Sequence, residues 1–399
     1  LCPGCGASAV VATGIVFPGI HVLGSYHCQA CQLDFLRDLP IGFAIHSPTT
    51  IDTRSGHAIG GEKAEYWVQK PLLESYASQS DAPVHIERIV NKPAKDIILL
   101  NTLDFLYGHV LLKLFNAPYY LDKHPETALV VIMPKSYAWL APKEAAEIWL
   151  VDIRLKDAHG WYHTINSQIQ EWLKDYASVQ MARGYTHPLL AKLDISRFSG
   201  LKPFDPSKFH DLPPHITFIA RTDRLWYGND LAEFIHRALK WAGLGKSFGR
   251  LFVRAQDRRM KRAMRRILRE EPRATFTITG LAPKAGHSGI ANDLRTEHMN
   301  PEVERAWCAA YAKSQVVVGV HGSNMLLPTA FAVACVEILP DDRMENIVQD
   351  IFVRYDDRMQ LFNYRFVDER ATPSQVAAQV LGILRHHGDF HRNMCVNTV

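Results

Sequence analysis

The sequence predicts an α/β protein in which two doubly wound domains follow a small cysteine-rich module. Three observations support this prediction. The chain has 399 residues, enough for two domains and an appendage. Apolar runs typical of buried parallel strands alternate with helical patterns along most of its length. Two Cys-x2-Cys pairs lie within the first 31 residues.

Composition restricts the class of protein. Apolar residues make up 47% of the chain, the level of a soluble globular protein. The formal net charge of +4 is too small to indicate a nucleic-acid-binding protein, so we expect no nucleic-acid partner. No apolar run reaches the roughly 18 residues that span a membrane. No signal peptide is visible, and the start of the sequence at Leu1 leaves open that an upstream segment was removed. The seven cysteines, an odd number, favour a reducing compartment and predict a cytoplasmic protein.

The first module, residues 1–39, is predicted to be a zinc ribbon. Cys2, Cys5, Cys28 and Cys31 have the spacing of two knuckle-like turns, and four thiolates suit tetrahedral zinc at about 2.3 Å. Two disulfides are the alternative, which a reducing compartment disfavours. Because all four ligands are thiolates, no coordination position stays open for catalysis, and we expect the zinc to be structural.

Residues 40–204 are predicted to form the first domain, and a segment rich in Pro, Gly and Ser (199–214) marks its boundary with the second domain. An extended piece at 62–68 leads into it. Short apolar runs predict buried strands, and helical patterns connect them. The strands are expected at 96–101, 128–133 and 147–153, and the helices at 102–121 and 136–146 and within 161–183.

Residues 205–399 repeat the alternation and form the second predicted domain, with right-handed crossovers between parallel strands. Its strands are expected at 215–220, 250–254, 274–279, 316–320, 334–339 and 364–367. Its helices are expected at 230–241, 257–271, 301–313, 344–355 and 373–385.

The strongest local pattern lies at residues 314–340. A valine-rich strand ends in His321-Gly322-Ser323-Asn324, a helix follows, and the next strand carries the acid Glu337. Such a turn places backbone N–H groups and the positive end of a helix at the carboxyl edge of a parallel sheet, where open α/β folds bind phosphate groups. The alternative is an ordinary strand–helix–strand crossover with a glycine turn.

At these residues the chain resembles the glycosyltransferase family 61 type, the DUF563-like group. The stretch VVVGVHGSNMLLPTAFAVACVEILP matches its pattern at His321, Gly322, Glu337 and Pro340, whereas Ser323 and Asn324 replace the usual Ala and Gly. The resemblance covers residues 96–340 in patches. It implies two Rossmann-like domains in the GT-B arrangement and an inverting hexosyl- or pentosyltransferase that uses a nucleotide-sugar donor and a hydroxyl acceptor on a glycan or other molecule. It also implies that Glu337 accepts hydrogen bonds from the donor ribose.

A second segment of the resemblance, DFLYGHVLLKLFNAPYYL, begins at Asp104. It is similar to the family's amino-terminal segment, in which a histidine follows a strand and opens a helix. The resemblance makes His109 and Asp104 the candidate general bases. The alternative is that His109 is a histidine of the helix surface or core.

Two arginines follow the predicted strand 215–220. Guanidinium groups suit bidentate contact with phosphate, so Arg221 and Arg224 are predicted to bind the donor diphosphate, and Arg221 to balance its charge as it leaves. The alternative is a surface ion pair with Asp223 or Asp230. The chain contains no Asp-x-Asp pair, which suits a mechanism without a catalytic metal.

A basic stripe extends along the predicted helix 257–271. A solvated face is its simplest interpretation, and an anionic acceptor, a peripheral membrane contact through acidic lipids, or RNA are the alternatives. The stripe consists of Arg254, Arg258, Arg262, Arg265, Arg266 and Arg269.

For the whole chain, the alternatives to a glycosyltransferase are a non-catalytic module that docks RNA or protein, and an epimerase-like or phosphatase-like enzyme on the same scaffold.

Overall fold

The structure is a computed structural model that describes residues 1–59, 66–191, 193–284, 289–347, 351–352, 354 and 358–394. The chain divides into two compact units, Leu1–Leu189 and Leu190–Val399. Residues 190–204, which the sequence assigned to the first domain, therefore belong to the second unit. The amide of Phe204 donates to the carbonyl of Phe331 at 2.8 Å, and the Phe204 ring joins the core of that unit.

A four-stranded antiparallel sheet forms the amino-terminal part of the first unit. Its core residues Leu23, Leu36 and Ile51 pack with Leu72 and Trp161, so the ribbon shares a core with the rest of the unit. The fourth strand lies beyond the predicted end of the ribbon at residue 39. The strands pair in chain order as β1 (Val10–Val16), β2 (Leu23–Cys28), β3 (Asp34–Asp38) and β4 (Thr50–Asp52).

The five-stranded sheet of the first unit has the order β5-β8-β7-β6-β9, and only β5 runs antiparallel to its neighbour. The α/β class predicted from the apolar runs is confirmed here. The strands are β5 (Ile86–Val90), β6 (Asp96–Asn101), β7 (Ala128–Pro134), β8 (Glu147–Val151) and β9 (Ser178–Met181).

The helices of the first unit are shorter than the sequence predicts. They are α1 (Tyr66–Ala77), α2 (Tyr107–Leu114), α3 (Ala117–Lys123) and α4 (His163–Leu173). The predicted helix 102–121 is interrupted at Asn116, whose side-chain amide donates to the carbonyls of Leu112, Lys113 and Tyr185. The next helix begins at Ala117, with Pro118 in its first turn, where proline is tolerated. The predicted helix 136–146 is only a 3-10 helix, Lys135–Leu140. Of the extended piece predicted at 62–68, residues 62–65 lie outside the described residues and residues 66–68 begin α1.

All strands of the second sheet are parallel, in the order β12-β11-β10-β13-β14-β15. The strands are β10 (His215–Ile219), β11 (Thr275–Thr279), β12 (Asn292–Asp293), β13 (Val316–Val320), β14 (Ala334–Leu339) and β15 (Tyr364–Asp368). The helices are α5 (Ser196–Ser199), α6 (Asp230–Trp241), α7 (Gly245–Glu270), α8 (Pro301–Tyr311), α9 (Leu326–Phe331), α10 (Met359–Asn363) and α11 (Pro373–Met394).

The strand predicted at 250–254 is wrong, because these residues lie inside α7. Buried side chains recur every three or four residues along this helix, which is the period of a helical face; they include Val253, Gln256, Met260, Ala263 and Ile267. The short apolar segment before Arg254 therefore continues the helix. The helix predicted at 344–355 begins as a 3-10 helix, Asp341–Asn346, and residues 348–350, 353 and 355 lie outside the described residues.

Both sheets are doubly wound. In the first sheet β7 and β8 lie on one side of β6 and β9 lies on the other; in the second, β11 and β12 lie on one side of β10, and β13 to β15 lie on the other. The strand order therefore reverses between β6 and β9 and between β10 and β13. Ligands of open α/β sheets bind at such switch points, outside the carboxyl ends of the strands.

Candidate functional site

The loops that follow β10 and β13 meet at the switch point of the second sheet. Nη1 of Arg221 donates a hydrogen bond to the backbone carbonyl of His321 at 2.9 Å. Nη1 of Arg224 donates to the same oxygen at 3.0 Å. Arg221 also donates to Oδ1 of Asn324. The structure thus brings together the residues that the sequence predicted after these two strands. We call Arg221, Arg224, His321, Gly322 and Asn324 the arginine–glycine cluster.

The arginine–glycine cluster requires a glycine at position 322. Its φ of +146° lies in the region that favours glycine. A Cβ atom at this position would overlap Nη1 of Arg221 and approach Nη1 of Arg224 to 2.8 Å. The missing side chain therefore lets both guanidinium groups lie directly against the backbone of the turn.

The helix after the turn is short. Residues Ser323–Met325 form a 3-10 turn, and α9 has six residues. The amide of Met325 already donates to the Gly322 carbonyl at 2.8 Å. Because the dipole of so short a helix is weak, the positive charge at this edge comes mainly from the two arginines.

His321 and Glu337 form a buried pair beneath the turn. Nδ1 of His321 lies 2.9 Å from Oε1 of Glu337, and both side chains are 0% exposed. The register of β13 and β14, which pairs Gly319 with Glu337, places the carboxylate on the last residues of β13. Contact between Glu337 and a ribose, which the family resemblance implies, would require an exposed carboxylate. In the structure the carboxylate is buried and faces His321.

Asp223 holds the outer side of Arg221. Nε and Nη2 of Arg221 donate to the two carboxylate oxygens of Asp223 at 2.8 and 2.5 Å, and the Asp223 side chain is 67% exposed. This ion pair is the alternative that the sequence left open for Arg221. An anionic ligand of Arg221 would compete with this exposed carboxylate.

A cleft of about 1310 Å³ lies beside Asp223, within the second unit. Its walls carry both signs of charge, which suits a polar ligand better than a hydrophobic one. The charged residues that line it include Asp223, Lys240, Arg250, Arg254, Asp257 and Glu297.

In the first unit, Asp104 and His109 lie after β6, as predicted, but a third residue joins them. Nζ of Lys113 lies 2.8 Å from Oδ2 of Asp104, and Nδ1 of His109 lies 3.5 Å from Oδ1. All three side chains are buried. Lys113 was missed by the sequence analysis; the available signal was its position four residues after His109, on the same face of α2.

The charges of Asp104, His109 and Lys113 decide which of the two candidate bases can accept a proton. Burial would raise the pKa of Asp104, but the charge of Lys113 and the hydrogen bond and charge of His109 outweigh it and hold the pKa well below its usual range. Asp104 is therefore a weak proton acceptor and an anchor for its two neighbours. His109 keeps the role of candidate base.

Other aromatic and basic rings lie near His109. The Phe43 ring meets the His109 ring edge to face at a centroid distance of 4.8 Å. Burial and then the charges of His109 and His46 lower the pKa of His187. His187 therefore lies near enough to His109 and His46 for their charges to act on it.

The four cysteines of the ribbon converge. Sγ atoms of Cys2 and Cys31 are 3.7 Å apart, as are those of Cys5 and Cys28, and all four lie within 4.8 Å of one another. Tetrahedral zinc with sulfur ligands at about 2.3 Å requires sulfur separations of about 3.8 Å, whereas a disulfide requires about 2.05 Å. The donor set and its geometry therefore fit a metal ion such as zinc.

The basic stripe lies on the solvent side of α7. Arg258, Arg262 and Arg266 are exposed, whereas Met264 and Ile267 on the opposite face of the helix are buried. In the part of the chain that the structure describes, no helix is long and apolar enough to cross a membrane.

Comparison with known proteins gives weak likenesses only. No family model and no curated protein matches the chain. Among solved structures, ADP-heptose LPS heptosyltransferase II from E. coli is 10% identical with a TM-score of 0.40, and the match covers 73% of this chain and 99% of that one. A putative UDP-N-acetylglucosamine 2-epimerase from Listeria monocytogenes is 12% identical with a TM-score of 0.31, and the match covers 74% and 68% of the two chains. Similarity at this level does not identify the family of this chain.

Proposed function

We propose that the protein is a glycosyltransferase that moves a sugar from a nucleotide-sugar donor to a hydroxyl acceptor on a glycan or other molecule, with inversion and without a catalytic metal. The observation that carries the proposal is the convergence of Arg221 and Arg224 on the His321 carbonyl, over Gly322, at the switch point of a doubly wound sheet. The family resemblance at the same residues supports it.

The arginines suit the charge that such a reaction creates. When the bond between sugar and diphosphate breaks, negative charge grows on the leaving diphosphate. Guanidinium groups that are already held in place stabilise this charge more strongly in the transition state than in the ground state. Contacts with the His321 carbonyl and Asn324 hold Arg221 on its inner side and leave its outer side to Asp223.

His321 and Glu337 would act through the backbone. Their buried pair would fix His321, the residue that follows β13, and with it the carbonyl oxygen that accepts from both arginines. We assign Glu337 to this positioning role instead of the ribose contact. His109 is the proposed general base, because the low pKa of Asp104 makes that carboxylate a poor proton acceptor.

Ligand binding tests the donor site first. Thermal shift with the diphosphates of uridine, guanosine, cytidine and adenosine should show one preferred base, since a ligand at about 100 times its dissociation constant adds about 2.7 kcal/mol to the free energy of unfolding. Arg221→Ala should weaken the binding of the preferred diphosphate. Asp223→Asn should strengthen its binding, because the competing carboxylate loses its charge. Arg269→Ala, which removes an exposed arginine of α7, is the matched control and should change nothing.

Product analysis separates this proposal from its alternatives. Transfer of sugar to an acceptor, without added divalent cation, supports a metal-independent transferase. Isomerised donor without transfer would identify an epimerase, and binding without turnover would identify a non-catalytic module. Failure of every diphosphate to bind, or an unchanged affinity in both Arg221→Ala and Asp223→Asn, would remove the donor site from this edge of the sheet.

We also propose that the four-cysteine site holds one structural zinc ion. Cys2, Cys5, Cys28 and Cys31 would bind it and connect the two knuckles of the ribbon. Metal analysis of protein purified without chelator should find zinc in a 1:1 ratio with the chain. Cys28→Ser should release it, whereas Cys308→Ser, which removes a buried thiol of the second unit, should not. Absence of zinc from the unmodified protein would contradict the proposal.

A further inference from the structure

A second cavity of the second unit, of about 390 Å³, lies between the middle of α7 and the start of α11. None of its lining residues belongs to the arginine–glycine cluster. The residues that line it include Gly228, Asn229, Arg258, Arg259, Arg262 and Thr372.

Three arginines of α7, Arg258, Arg259 and Arg262, line this cavity together. Among the residues that the structure describes, no carboxylate forms an ion pair with Arg258, Arg259 or Arg262, whereas Arg266 of the same helix pairs with Glu270 at 3.2 Å. Nη1 of Arg259 donates to the Trp226 carbonyl at 3.3 Å. Burial and then the charges of its two arginine neighbours lower the pKa of Arg259.

The backbone around the cavity is arranged to keep Arg259 in place. Gly228 has a φ of +74°, and a Cβ atom there would overlap Nε of Arg259 and lie 2.8 Å from its Cδ. At the opposite wall, Thr372 and Gln375 cap α11 reciprocally, with the Thr372 amide donating to the Gln375 side chain at 2.7 Å. The positive end of this 22-residue helix therefore adds to the charge of the arginines.

We propose that this cavity binds a phosphate group carried by a small organic molecule or by a lipid headgroup. Three guanidinium groups offer more donors than one carboxylate can accept, and they match a dianion with three free oxygens. A volume of about 390 Å³ is within the range of small-molecule sites, about 300–1,000 Å³, and leaves room for a substituent on the phosphate.

A calorimetric titration of the full chain with glycerol 3-phosphate, at constant ionic strength, tests the soluble source. Arg262→Gln should weaken binding roughly tenfold or more, because one charge-assisted contact is lost. Arg269→Gln is the matched control: it removes the same charge from the same helix, outside the cavity, and should change binding less than about twofold. Both positions are exposed, and circular dichroism melting verifies that each variant folds.

Co-sedimentation with phosphatidylcholine vesicles that contain phosphatidic acid tests the lipid source, with the same two variants. Binding that depends on Arg262 and not on Arg269 supports the proposal in either arm, and the arm in which it occurs identifies the source. If both variants lose affinity equally, the helix attracts anions by general charge only and the proposal is wrong. If neither probe binds the unmodified protein, it is wrong as well.

Discussion

In each α/β sheet, a histidine that follows a strand of the switch point is buried against a carboxylate, and a different kind of cation lies beside the pair. In the first unit, His109 and Asp104 follow β6, and the ammonium group of Lys113 lies inside the pair, 2.8 Å from the carboxylate. In the second unit, His321 follows β13 and meets Glu337, while the arginines lie outside the pair, on the backbone carbonyl of the histidine.

The position of the cation decides whether a buried histidine–carboxylate pair stabilises the fold or supports an anion-binding site. A cation that is buried against a carboxylate has its charge neutralised inside the protein and cannot act on a ligand. Arg221 is held on its inner side by a neutral carbonyl oxygen, and the carboxylate that pairs with it, Asp223, is 67% exposed, so an anionic ligand can compete for this guanidinium group. The second switch point is therefore the one that is prepared for an anion, and the first is prepared to hold a histidine in a fixed orientation.

Breaking the inner ion pair should give the largest effect. Asp104→Asn leaves the ammonium group of Lys113 buried without its counter-charge, and we expect the free energy of unfolding of the first unit to fall by about 3–5 kcal/mol. Denaturant titration followed by tryptophan fluorescence measures this, since Trp149 lies in the core of that unit.

The control for this variant is Asp157→Asn, which breaks an exposed ion pair with Arg154 and should cost less than about 1 kcal/mol. The double variant Asp104→Leu with Lys113→Met removes both charges and should recover part of the loss. If Asp104→Asn costs no more than the control, the cation does not depend on this carboxylate and the contrast between the two sheets is not real.

The outer arginine should have the next largest effect, on turnover instead of stability. If the proposed function holds, Arg221→Ala should lower kcat by roughly a hundredfold or more, the usual result of removing a preorganised donor from a developing negative charge. A smaller change in KM is expected, because the charge is greatest in the transition state. Steady-state kinetics with a saturating acceptor measure both constants, and Arg269→Ala is again the control. A loss confined to KM would mean that Arg221 binds donor and transition state equally.

The sequence predicted the strands of both sheets better than it predicted the helices. Runs such as residues 97–100 and Val316–Val320 are apolar because helices cover both faces of a parallel sheet, and this leaves a pattern that is visible without a structure. In α7, by contrast, a short apolar segment before Arg254 resembled a strand. Only the spacing of buried residues over the whole of α7 shows that the segment is helical.

The candidate sites divide in the same way. Arg221 and His321 could be paired from sequence because each follows a strand, and parallel strands end at the same edge of a sheet. The partners inside each pair could not be found so easily. Lysine side chains usually reach solvent, so the residue type does not predict the burial of Lys113. Glu337 faces His321 only because of the register between β13 and β14. Both depend on contacts between separate elements, which a local pattern does not show.

Replacing the buried acid of the second unit should have a smaller effect than replacing that of the first. Glu337→Gln keeps an oxygen that can accept a hydrogen bond from Nδ1 of His321 and leaves no buried lysine unpaired. We expect a loss of about 1–3 kcal/mol in the free energy of unfolding of the second unit, measured by denaturant titration. Cys335→Ser, a buried polar change on the same strand, is the control for nonspecific damage to β14. A loss as large as that of Asp104→Asn would mean that Glu337 also balances a buried charge.

The pH dependence of stability gives the smallest and most specific test. The pKa of Asp104 is lowered in the folded protein, because Lys113 and His109 outweigh the effect of burial. A depressed carboxyl pKa contributes stability above the unfolded value of about 3.9, and this contribution is lost as the pH falls towards the folded value. Below about pH 3.9, the contribution of Asp104 should therefore decrease by about 1.4 kcal/mol per pH unit. Asp104→Asn cannot show this decrease, so the difference in unfolding free energy between the unmodified protein and the variant should be constant from pH 7 to pH 5 and should shrink at pH 3. A difference that stays constant down to pH 3 would show that Asp104 is not held ionised by Lys113, and the first switch point would then resemble the second.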